Sequence, residues 1–427
     1  MFDYDARPAT PQVVIVGLRA SSLGYQLRDF LSRNGVPYEW LEADDSDRVR
    51  NALGVDAGNL AARLPVCVLP DGSQLGPATV EQLAVGLGLV SPPSLTEYDL
   101  AIVGAGPAGL AAAVYAASEG LRAVAIEAVA PGGQAGTTSM IENYLGFPQG
   151  ISGGELATRA TAQARRFGAE ILLARPLVDL GKDGQSYLAR LSDGTEVRSR
   201  CLLIATGVEW RRLDVPGLED LLGAGVYYGA GPSEAVSCRG CRVAIVGGGN
   251  SAGQAAVRFS RYASHVTLLV RGRRLADSMS QYLVTQVSQL DNVDILTGTQ
   301  VVELEADAHL RAVVVSSTDD PSLVRLPMNS LFVCIGGVPR TQSVTGLGLA
   351  KDEAGYLQTG AATQTVPGSE NRWTLSRPPL PLESNQPGLF VAGDVRSGSI
   401  KRCSAAIGEG SMAVALVHRR LEEVGGE

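Results

Sequence analysis

The sequence has little cysteine, little histidine and no long apolar run, and each shortage excludes a class of protein. Its six cysteines are spread over 427 residues, too few and too scattered for the disulfide framework of a secreted domain. The three histidines, His265, His309 and His418, share no metal-ligand spacing with the cysteines. No segment approaches the roughly 18 consecutive apolar residues of a membrane span. We therefore expect a protein of the reducing cytoplasm, with no membrane partner and no metal.

Positive charge is also in short supply. The chain has 36 Lys and Arg against 44 Asp and Glu, a net charge of −8, so we expect no nucleic-acid partner. The first residues, M-F-D-Y-D-A-R, are acidic and lack the apolar core of a secretory signal. Glycine, by contrast, is plentiful at 51 residues, and several glycines fall into recognisable motifs.

Two glycine-rich motifs lie about 140 residues apart, each directly after an apolar, strand-like run. The first glycine of such a motif permits a tight strand-to-helix turn, the second lets the backbone approach a pyrophosphate, and the third small residue lets helix and strand pack closely. Free N–H groups at the helix start then face the phosphates. Two motifs predict two nucleotide sites on one chain, between which a hydride can pass. Their small residues are Gly104, Gly106 and Gly109 in the first, and Gly247, Gly249 and Ala252 in the second.

Two acidic residues strengthen this interpretation. Downstream of the first motif the run L-R-A-V-A-I-E ends on Glu127, about 20 residues on, where an acid accepts hydrogen bonds from a ribose diol. Near the C-terminus the run P-G-L-F-V-A-G-D-V, which contains Gly393 and Asp394, has the form of a flavin signature.

Residues 1–90 are predicted to form a separate α/β domain of order β-α-β-α-β-β-α. This order resembles the thioredoxin/glutaredoxin fold, and Pro65 stands where that fold keeps a cis-proline. A redox dithiol would open the first helix, but Arg19, Ala20, Ser21 and Ser22 stand there. We therefore expect this domain to lack disulfide exchange. Residues 91–97 form a Pro/Ser linker.

The rest of the chain is predicted to form two nested Rossmann-like, three-layer ββα domains. The first comprises residues 98–212 and 339–427, and the second comprises residues 213–338. The run I-A-T-G, ending on Gly207, and the run L-F-V-C-I-G-G-V-P-R-T mark the two places where the chain crosses between them.

Over about 330 residues the chain resembles the low-molecular-weight thioredoxin reductases and their flavoprotein relatives. This resemblance implies FAD in the first of the two domains, NADPH in the second, a homodimer, and rotation of one domain against the other between two working states. The matching segments are G-A-G-P-A-G-L-A-A-A-V-Y-A-A, P-G-G-Q, I-E-N-Y-L-G-F, I-A-T-G, G-G-G-N-S-A and G-L-F-V-A-G-D-V.

The resemblance also implies which residues bind each cofactor. The run Lys401-Arg402-Cys403 departs from the Arg-Gln-Ala run that the family places beside the flavin pyrimidine. The residues implied for FAD are Gly104, Gly106, Pro107, Ala108, Gly109, Glu127, Gly133, Gln134, Asn143, Thr206, Gly207, Gly393, Asp394, Lys401, Arg402 and Cys403. Those implied for NADPH are Gly247, Gly249, Asn250, Ser251, Ala252, Arg271, Arg273, Arg274 and Gly336.

The preference for NADPH over NADH is argued from charge. After the run H-V-T-L-L-V come Arg271, Arg273 and Arg274, and no acid appears before Asp277. Arginines clamp a 2′-phosphate that an acid would repel. The alternative is that these arginines only form a solvated turn.

The main departure from the family concerns the redox dithiol. Thioredoxin reductases carry a Cys-x-x-Cys about ten residues before the second nucleotide strand, where this chain has Gly229 to Pro232. Its own C-x-x-C, Cys238 and Cys241, adjoins that strand and follows the C-terminal end of a predicted helical turn, where a thiolate is poorly stabilised. The candidates for redox chemistry are Cys238, Cys241 and Cys403, together with Tyr228, which with Tyr227 could stack on the flavin.

The sequence thus predicts an FAD-dependent oxidoreductase that takes hydride from NADPH and passes electrons to an unidentified acceptor, a small molecule or a small redox protein. Three alternatives stay open. The chain could be a thioredoxin-disulfide reductase that uses Cys238 and Cys241, an enzyme like the ferredoxin or flavodoxin–NADP reductases, or a flavoprotein that senses or binds without turnover.

Overall fold

The computed structural model describes residues 13–18, 21–54, 60–138, 141, 144–228, 230, 232–318, 322–365 and 373–425. It divides into two compact units: Met1–Gly86 with Trp210–Gly337, and Leu87–Glu209 with Val338–Glu427. Five residues singled out in the sequence lie outside the described residues: Arg19, Ala20, Asn143, Gly229 and Gly231.

The N-terminal module, residues 13–86, folds around a four-stranded sheet of order β2-β1-β3-β4. Strand β1 is parallel to β2 and antiparallel to β3, and β3 forms a hairpin with β4. The Leu64–Pro65 peptide bond is cis. The elements follow the predicted order and are β1 (Val13–Gly17), α1 (Ser22–Arg33), β2 (Tyr38–Glu42), α2 (Ser46–Leu53), β3 (Val66–Val68), β4 (Gln74–Leu75) and α3 (Val80–Gly86).

Local sequence explains the bounds of the first two helices. The Ser21 hydroxyl accepts a hydrogen bond from the Gly24 N–H at 3.0 Å and so caps the start of α1. Residues Leu27 and Leu31 of α1 are four apart and buried, which fixes the inward face of the helix. Asp45 caps α2, and Gly54 ends it in the left-handed conformation.

The second segment of the chain begins with a βαβ unit built around the first glycine motif. It runs from Tyr98 to Trp210 and includes two antiparallel hairpins, β8–β9 and β9–β10. Its elements are β5 (Tyr98–Val103), α4 (Pro107–Ser118), β6 (Ala123–Ile126), α5 (Gly153–Arg166), β7 (Glu170–Leu172), β8 (Leu177–Asp183), β9 (Ser186–Leu191), β10 (Glu196–Ile204) and β11 (Val208–Trp210).

The third segment contains a second parallel sheet and a small antiparallel one. Its elements are β12 (Val226–Tyr228), α6 (Pro232–Ser237), β13 (Arg242–Val246), α7 (Asn250–Phe259), β14 (His265–Val270), α8 (Gln281–Ser288), β15 (Val293–Thr297), β16 (Thr299–Ala306), β17 (Leu310–Ser317), β18 (Leu323–Pro327), β19 (Ser330–Val333) and β20 (Gly337–Pro339). The chain then returns to the sheet that carries the first glycine motif. It does so through β21 (Leu389–Val391) and ends in α9 (Cys403–Gly425).

Two sheets carry the two glycine motifs; the first is mixed, with β8 and β9 antiparallel, and the second is parallel. We call residues 98–209 and 338–425 the first nucleotide domain and residues 210–337 the second. In the first, the sheet order is β7-β6-β5-β10-β9-β8, and β21 pairs with the C-terminal half of β10. In the second, the order is β12-β19-β13-β14-β15, with every pair parallel. Each motif follows a central strand, β5 or β13, so its loop lies at the carboxyl end of the sheet, where such folds bind nucleotides.

The parallel strands β5, β6 and β21 of the first sheet are buried on both faces, which explains why they are almost entirely apolar. On one face α4 and α9 pack together, and on the other lie residues of β8, β9 and the 344–357 segment. The helix contact is closest at Gly410, where a Cβ would lie 2.1 Å from the Ala108 carbonyl oxygen. At Gly408, two residues earlier in α9, a Cβ would meet nothing within 4 Å.

This pair of glycines gives a matched test of the packing. We expect Gly410→Ala to lower the stability of the protein by about 1–3 kcal/mol, because the new methyl group forces two helices apart. Gly408→Ala should be neutral or stabilise by up to about 1 kcal/mol, since Ala favours a helix over Gly. Thermal denaturation followed by circular dichroism measures both. Equal melting temperatures for the two variants would contradict the α4–α9 packing.

Candidate cofactor sites

The first glycine motif forms a loop at the start of α4 that leaves open space beside its middle glycine. We call each such loop, residues 104–109 here and 247–252 in the second motif, a cradle. Gly104 has φ +102°, and a Cβ there would lie 2.4 Å from the Ala205 carbonyl oxygen of the neighbouring strand. A Cβ on Gly109 would lie 1.8 Å from the Gly104 carbonyl oxygen. At Gly106 the nearest atom to a Cβ would be the Gly133 Cα, 3.9 Å away. The outer glycines are thus fixed by packing, whereas Gly106 faces space that a pyrophosphate can fill.

The start of α4 is suited to bind an anion. Its N-cap is Gly106, and no side chain caps it; Pro107 and Ala108 are its first two residues. The N–H groups at a helix start carry the positive end of the dipole, and a phosphate can accept their hydrogen bonds. The P-G-G-Q loop reaches this point too, because a Cβ on Gly133 (φ +54°) would lie 3.1 Å from the Gly106 Cα.

Glu127 lies at the end of β6, as the sequence predicts, and only 8% of it is exposed. One carboxylate oxygen accepts a hydrogen bond from the Ala105 N–H at 2.8 Å, and the other accepts one from the Val129 N–H at 3.0 Å. Each oxygen keeps a second lone pair for a ribose hydroxyl. The carboxylate therefore holds the motif loop in place and can still bind the sugar.

Asp394 lies in a charged cluster at the start of α9. Burial raises the pKa of its carboxyl group, and Lys401 acts in the opposite direction. The Lys401 ammonium donates to the Asp394 carbonyl oxygen at 2.5 Å. Glu409 of α9 accepts hydrogen bonds from the Gly393 N–H at 2.7 Å and from Arg396 at 2.5 Å. Sequence reasoning missed Glu409, because no motif marks it and only the fold brings α9 to the Gly393 turn.

Other residues implied for FAD are anchored by contacts within the first nucleotide domain. The Gln134 amide donates to the Val208 carbonyl oxygen at 2.7 Å, and the Thr206 hydroxyl donates to the Arg340 carbonyl oxygen at 2.7 Å. Gly207 has φ +67° and its carbonyl oxygen accepts the Arg340 N–H at 3.0 Å. Arg402 is exposed just before α9. The contacts of Thr206 and Gly207 join the I-A-T-G turn to Arg340, where the chain re-enters the first nucleotide domain.

The second glycine motif repeats the geometry of the first. Gly247 has φ +146°, and a Cβ there would lie 2.3 Å from the carbonyl oxygen of Cys334, the residue after β19. Gly249 caps α7 without help from a side chain, and a Cβ there would meet only the Ser278 carbonyl oxygen, at 3.9 Å. The third small residue, Ala252, is fully buried. This cradle too is open at its middle glycine, so it suits a second pyrophosphate.

Two hydrogen bonds from the 278–280 segment fix the loop of the second glycine motif. The Asn250 side-chain oxygen accepts a hydrogen bond from the Ser280 N–H at 2.7 Å, and the Ser278 hydroxyl donates to the Gly248 carbonyl oxygen at 2.8 Å. Ser251 is exposed in the first turn of α7, and Gly336 has φ +88° beyond β19. Asn250 is therefore a positioning residue in this structure.

The three arginines implied for NADPH follow β14 directly, and all are exposed. They are Arg271, Arg273 and Arg274, and Arg274 lies 3.9 Å from Asp277. An exposed guanidinium at the end of the second strand of a Rossmann unit is placed to reach the 2′ position of the adenosine ribose. The structure thus brings positive charge to the expected place.

The structure places Cys238 and Cys241 in a turn between α6 and β13. All six cysteines are free. Only 4% of Cys238 is exposed, and it belongs to the apolar cluster that contains Phe259 and Phe332. Burial raises the pKa of its thiol to about 11. Its sulfur lies 3.6 Å from the Ser330 hydroxyl, and the Cys241 sulfur lies 3.9 Å from the Arg239 carbonyl oxygen.

The other redox candidates also have local partners. Cys403 is the first residue of α9, and burial, with Asp394 adding to it, raises the pKa of its thiol to about 11. The Tyr228 hydroxyl accepts a hydrogen bond from the Leu213 N–H at 2.9 Å. The Tyr227 ring stacks on Phe332 at 5.0 Å.

The described part of the chain offers neither a cluster of metal ligands nor a membrane-spanning helix. No group of three or more His, Cys, Asp or Glu side chains in it could hold a metal ion. His265 pairs with Asp294 at 2.8 Å and His418 with Glu119 at 3.0 Å. No helix in the same residues is long and apolar enough to cross a membrane.

Comparison with known proteins agrees with this geometry. Residues 98–410 match the family described as pyridine nucleotide-disulphide oxidoreductase. The thioredoxin reductases of Listeria innocua and Bacillus subtilis are each 32% identical to this chain, over 330 and 332 residues, which is 77% of this chain and 95% and 96% of those proteins. The chain belongs to the pyridine nucleotide-disulphide oxidoreductase family. The N-terminal module lies before the matched residues.

Solved structures give the same result for the fold. The thioredoxin reductase of Lactococcus lactis, in its FR conformation, aligns with a TM-score of 0.67 and 25% identity, and covers 76% of this chain and 99% of its own. The T. acidophilum thioredoxin reductase aligns with the same TM-score and 26% identity, over 77% of this chain and all of its own. The predicted Rossmann-like α/β fold is confirmed.

Membership settles the class of enzyme. The chain is an oxidoreductase of the thioredoxin reductase group, whose cofactors are FAD and NADPH, so the cofactors predicted from the sequence are confirmed. The two cradles and Glu127 fit two dinucleotides. The assignment of individual residues to each cofactor remains a prediction.

Replacing Asp394 tests the flavin site. A charge-assisted hydrogen bond contributes about 1.5–3 kcal/mol, so we expect Asp394→Ala to weaken FAD binding by roughly 10- to 150-fold. Flavin fluorescence during titration of the apoprotein measures the dissociation constant. Glu353→Ala, which removes an exposed carboxylate elsewhere in the same domain, is the control. Equal FAD affinity in both variants would disprove a flavin contact for Asp394.

Replacing Arg271 tests the NADPH site. We expect the wild type to prefer NADPH to NADH, and Arg271→Ala to reduce that preference by roughly 10-fold or more, because a charged partner of the 2′-phosphate is lost. The ratio of kcat/KM for the two coenzymes measures this. Arg261→Ala, an exposed arginine in the same domain, should leave the ratio unchanged. A wild type with equal kcat/KM for both coenzymes would refute the assignment.

Proposed function

We propose that this chain is an NADPH-oxidising flavoenzyme that passes electrons to its acceptor without a dithiol relay. The observation that supports this most directly is the position of Cys238 in the apolar core, with its thiol pKa raised to about 11. Thiol–disulfide exchange needs a thiolate that is accessible to a partner sulfur. A buried thiol with that pKa is almost entirely protonated at neutral pH.

The surroundings of the C-x-x-C also argue against a redox-active dithiol. Cys238 follows the last residue of α6, so it lies at the negative end of the helix dipole, which disfavours a thiolate. The Cys241 N–H donates to the Cys238 carbonyl oxygen at 3.0 Å, which is a tight turn leading into β13. This geometry suits a structural turn.

The chain's own residues would then serve to bind and orient. When bound, FAD and NADPH supply hydride transfer and electron storage. Gly106 and Gly249 leave room for the two pyrophosphates, and Glu127 holds the first loop while it accepts ribose hydroxyls. Asp394, Lys401 and Glu409 set the charge near the flavin. Arg271 selects the phosphorylated coenzyme.

We further propose that the N-terminal module is a thioredoxin-like domain without a dithiol. Its support is the strand order β2-β1-β3-β4 with α1 following β1. The start of α1, where a thioredoxin-like fold carries its cysteines, has Ser21 as N-cap and Ser22 as first helical residue. Neither can form a disulfide. A homodimer in the cytoplasm is likewise proposed from the family resemblance.

The relatives named thioredoxin reductase favour a second candidate, disulfide reduction by Cys238 and Cys241. For this function α6 and the 238–241 turn would have to rearrange and expose the Cys238 sulfur. The two candidates make opposite predictions for cysteine replacement.

Replacing both cysteines decides between them. We expect Cys238→Ser with Cys241→Ser to keep anaerobic flavin reduction by NADPH, and turnover with ferricyanide, within about threefold of wild type, since no transition-state contact is lost. Wild type should not reduce a thioredoxin. Stopped-flow absorbance of the flavin and NADPH oxidation rates measure these quantities.

The single replacement Cys201→Ser, at another buried cysteine, controls for loss of stability. If wild type reduces a thioredoxin, and only the double variant loses that activity while retaining FAD, the dithiol-free proposal is wrong.

A further inference from the structure

Helix α9 carries a mostly buried acid, Glu409, beside the turn that contains Asp394. Only 13% of the Glu409 side chain is exposed. Its two carboxylate oxygens have different partners. One accepts a hydrogen bond from the Gly393 N–H at 2.7 Å, and the other accepts one from the Arg396 guanidinium at 2.5 Å. The acid of α9 therefore binds the turn on both sides of Asp394.

The Gly393 N–H depends on this acid for its hydrogen bond. Gly393 is buried, and it begins a 3₁₀ turn that ends at Val395. A buried backbone N–H needs an acceptor inside the protein. At Gly393 that acceptor is a side chain, the carboxylate of Glu409, and not a backbone carbonyl group of a neighbouring strand. Loss of the carboxylate would leave this end of the turn without its hydrogen bond.

The same face of α9 also packs on the start of α4. A Cβ on Gly410 would lie 2.1 Å from the carbonyl oxygen of Ala108, the second residue of α4. Ala406, one helical turn earlier, lies 3.8 Å from where a Cβ of Gly393 would be. Residues three and four apart share one face of a helix. One turn of α9 thus contacts both the first cradle and the turn that Glu409 holds.

The other end of the turn is fixed by different contacts. The Leu357 N–H donates to the Val395 carbonyl oxygen at 3.0 Å, and the Ser397 N–H donates to the Leu357 carbonyl oxygen at 2.8 Å. The Ser397 hydroxyl donates to the Asp352 carboxylate at 2.6 Å. Residues 395–397 are therefore anchored to the 352–357 segment, whereas the first half of the turn is held from α9.

A purely electrostatic effect of Glu409 would have the opposite sign to a positioning effect. Burial raises the pKa of Asp394, Lys401 acts in the opposite direction, and Glu409 adds to the increase. An ionised carboxylate accepts stronger hydrogen bonds than a neutral carboxyl group. Removal of the Glu409 charge alone would therefore favour hydrogen bonds to Asp394. Removal of its hydrogen bond to Gly393 would disfavour them by displacing the turn.

We infer that Glu409 is a positioning residue for the flavin, which sets Asp394 relative to the first cradle through its hydrogen bond to the Gly393 N–H. The inference rests on the proposed function, because that proposal places Asp394 at the flavin. The Arg396 guanidinium binds the second carboxylate oxygen and so keeps the first one on Gly393. No nucleotide motif includes Glu409, so the inference adds a residue to the predicted flavin site.

A matched pair of double variants isolates this hydrogen bond. Glu409→Gln with Arg396→Met keeps an oxygen that can accept the Gly393 N–H, whereas Glu409→Leu with Arg396→Met does not. Both remove the two charges of the ion pair together, so neither leaves an unpaired buried charge. Gln and Leu are similar in volume, which limits changes in packing. Glu422→Ala, which removes an exposed acid from the same helix, is the control.

The first measurement is the affinity for FAD. We expect the Glu409→Gln, Arg396→Met protein and the control to bind FAD within about threefold of wild type, and the Glu409→Leu, Arg396→Met protein to bind it at least about tenfold more weakly. Release of flavin from the diluted holoprotein, followed by fluorescence, measures the dissociation constant. Hydrogen exchange of residues 390–396 should be faster in the Leu protein than in the Gln protein, and slow exchange in β5 and β10 shows that both are folded.

The second measurement asks whether the effect passes through Asp394. In an Asp394→Ala background the Gln and Leu proteins should differ in FAD affinity by less than about twofold, because the group that the turn positions is absent. A role of Glu409 in general stability would instead give the same difference in both backgrounds.

Equal FAD affinity of the Gln and Leu proteins would overturn the inference, and so would a difference that persists in full in the Asp394→Ala background. A folded Gln protein that binds FAD more than about tenfold more weakly than wild type would also overturn it, because the acceptor for Gly393 is still present. An Asp394→Ala variant that binds FAD as tightly as wild type would instead refute the proposed place of Asp394 at the flavin. The two failures are distinguishable, because the first leaves the defect of Asp394→Ala intact.

Discussion

Both nucleotide sites depend on one short-range constraint, the close passage of a glycine past the carbonyl oxygen of a neighbouring strand. Gly104 passes Ala205, and Gly247 passes Cys334, at distances that leave no room for a Cβ. The chain can turn sharply from β5 into α4, and from β13 into α7, only because these positions carry no side chain. That turn aims the helix start outward and leaves the middle glycine facing open space.

The two cradles differ at their third small residue, and the difference has a packing explanation. At Gly109 even a methyl group would overlap the Gly104 carbonyl oxygen, whereas in the second cradle Ala252 is accommodated 3.1 Å from where a Cβ of Gly247 would lie. Helix α4 therefore approaches its strand more closely than α7 does. The first loop is also held by a hydrogen bond from the Ala105 N–H to Glu127, whereas the second is held by hydrogen bonds of Asn250 and Ser278.

Local patterns in the sequence were enough to predict most elements. The helix Ser46–Leu53 has the bounds that its cap and its left-handed glycine impose, and α4 and α7 begin directly after the middle glycines of the two motifs. Glu409 and Tyr25 could not be found this way. Their partners, Gly393 and Tyr227, lie far from them along the chain, and only the tertiary fold brings each pair together.

The dithiol-free electron transfer that we propose depends on the environment of Cys238. A reductase that hands electrons to a dithiol partner needs an accessible thiolate. Here Cys238 is held in the core as a neutral thiol. The two glycine loops are built without any cysteine side chain, which is why we propose that electrons leave this enzyme from the flavin and not from a dithiol.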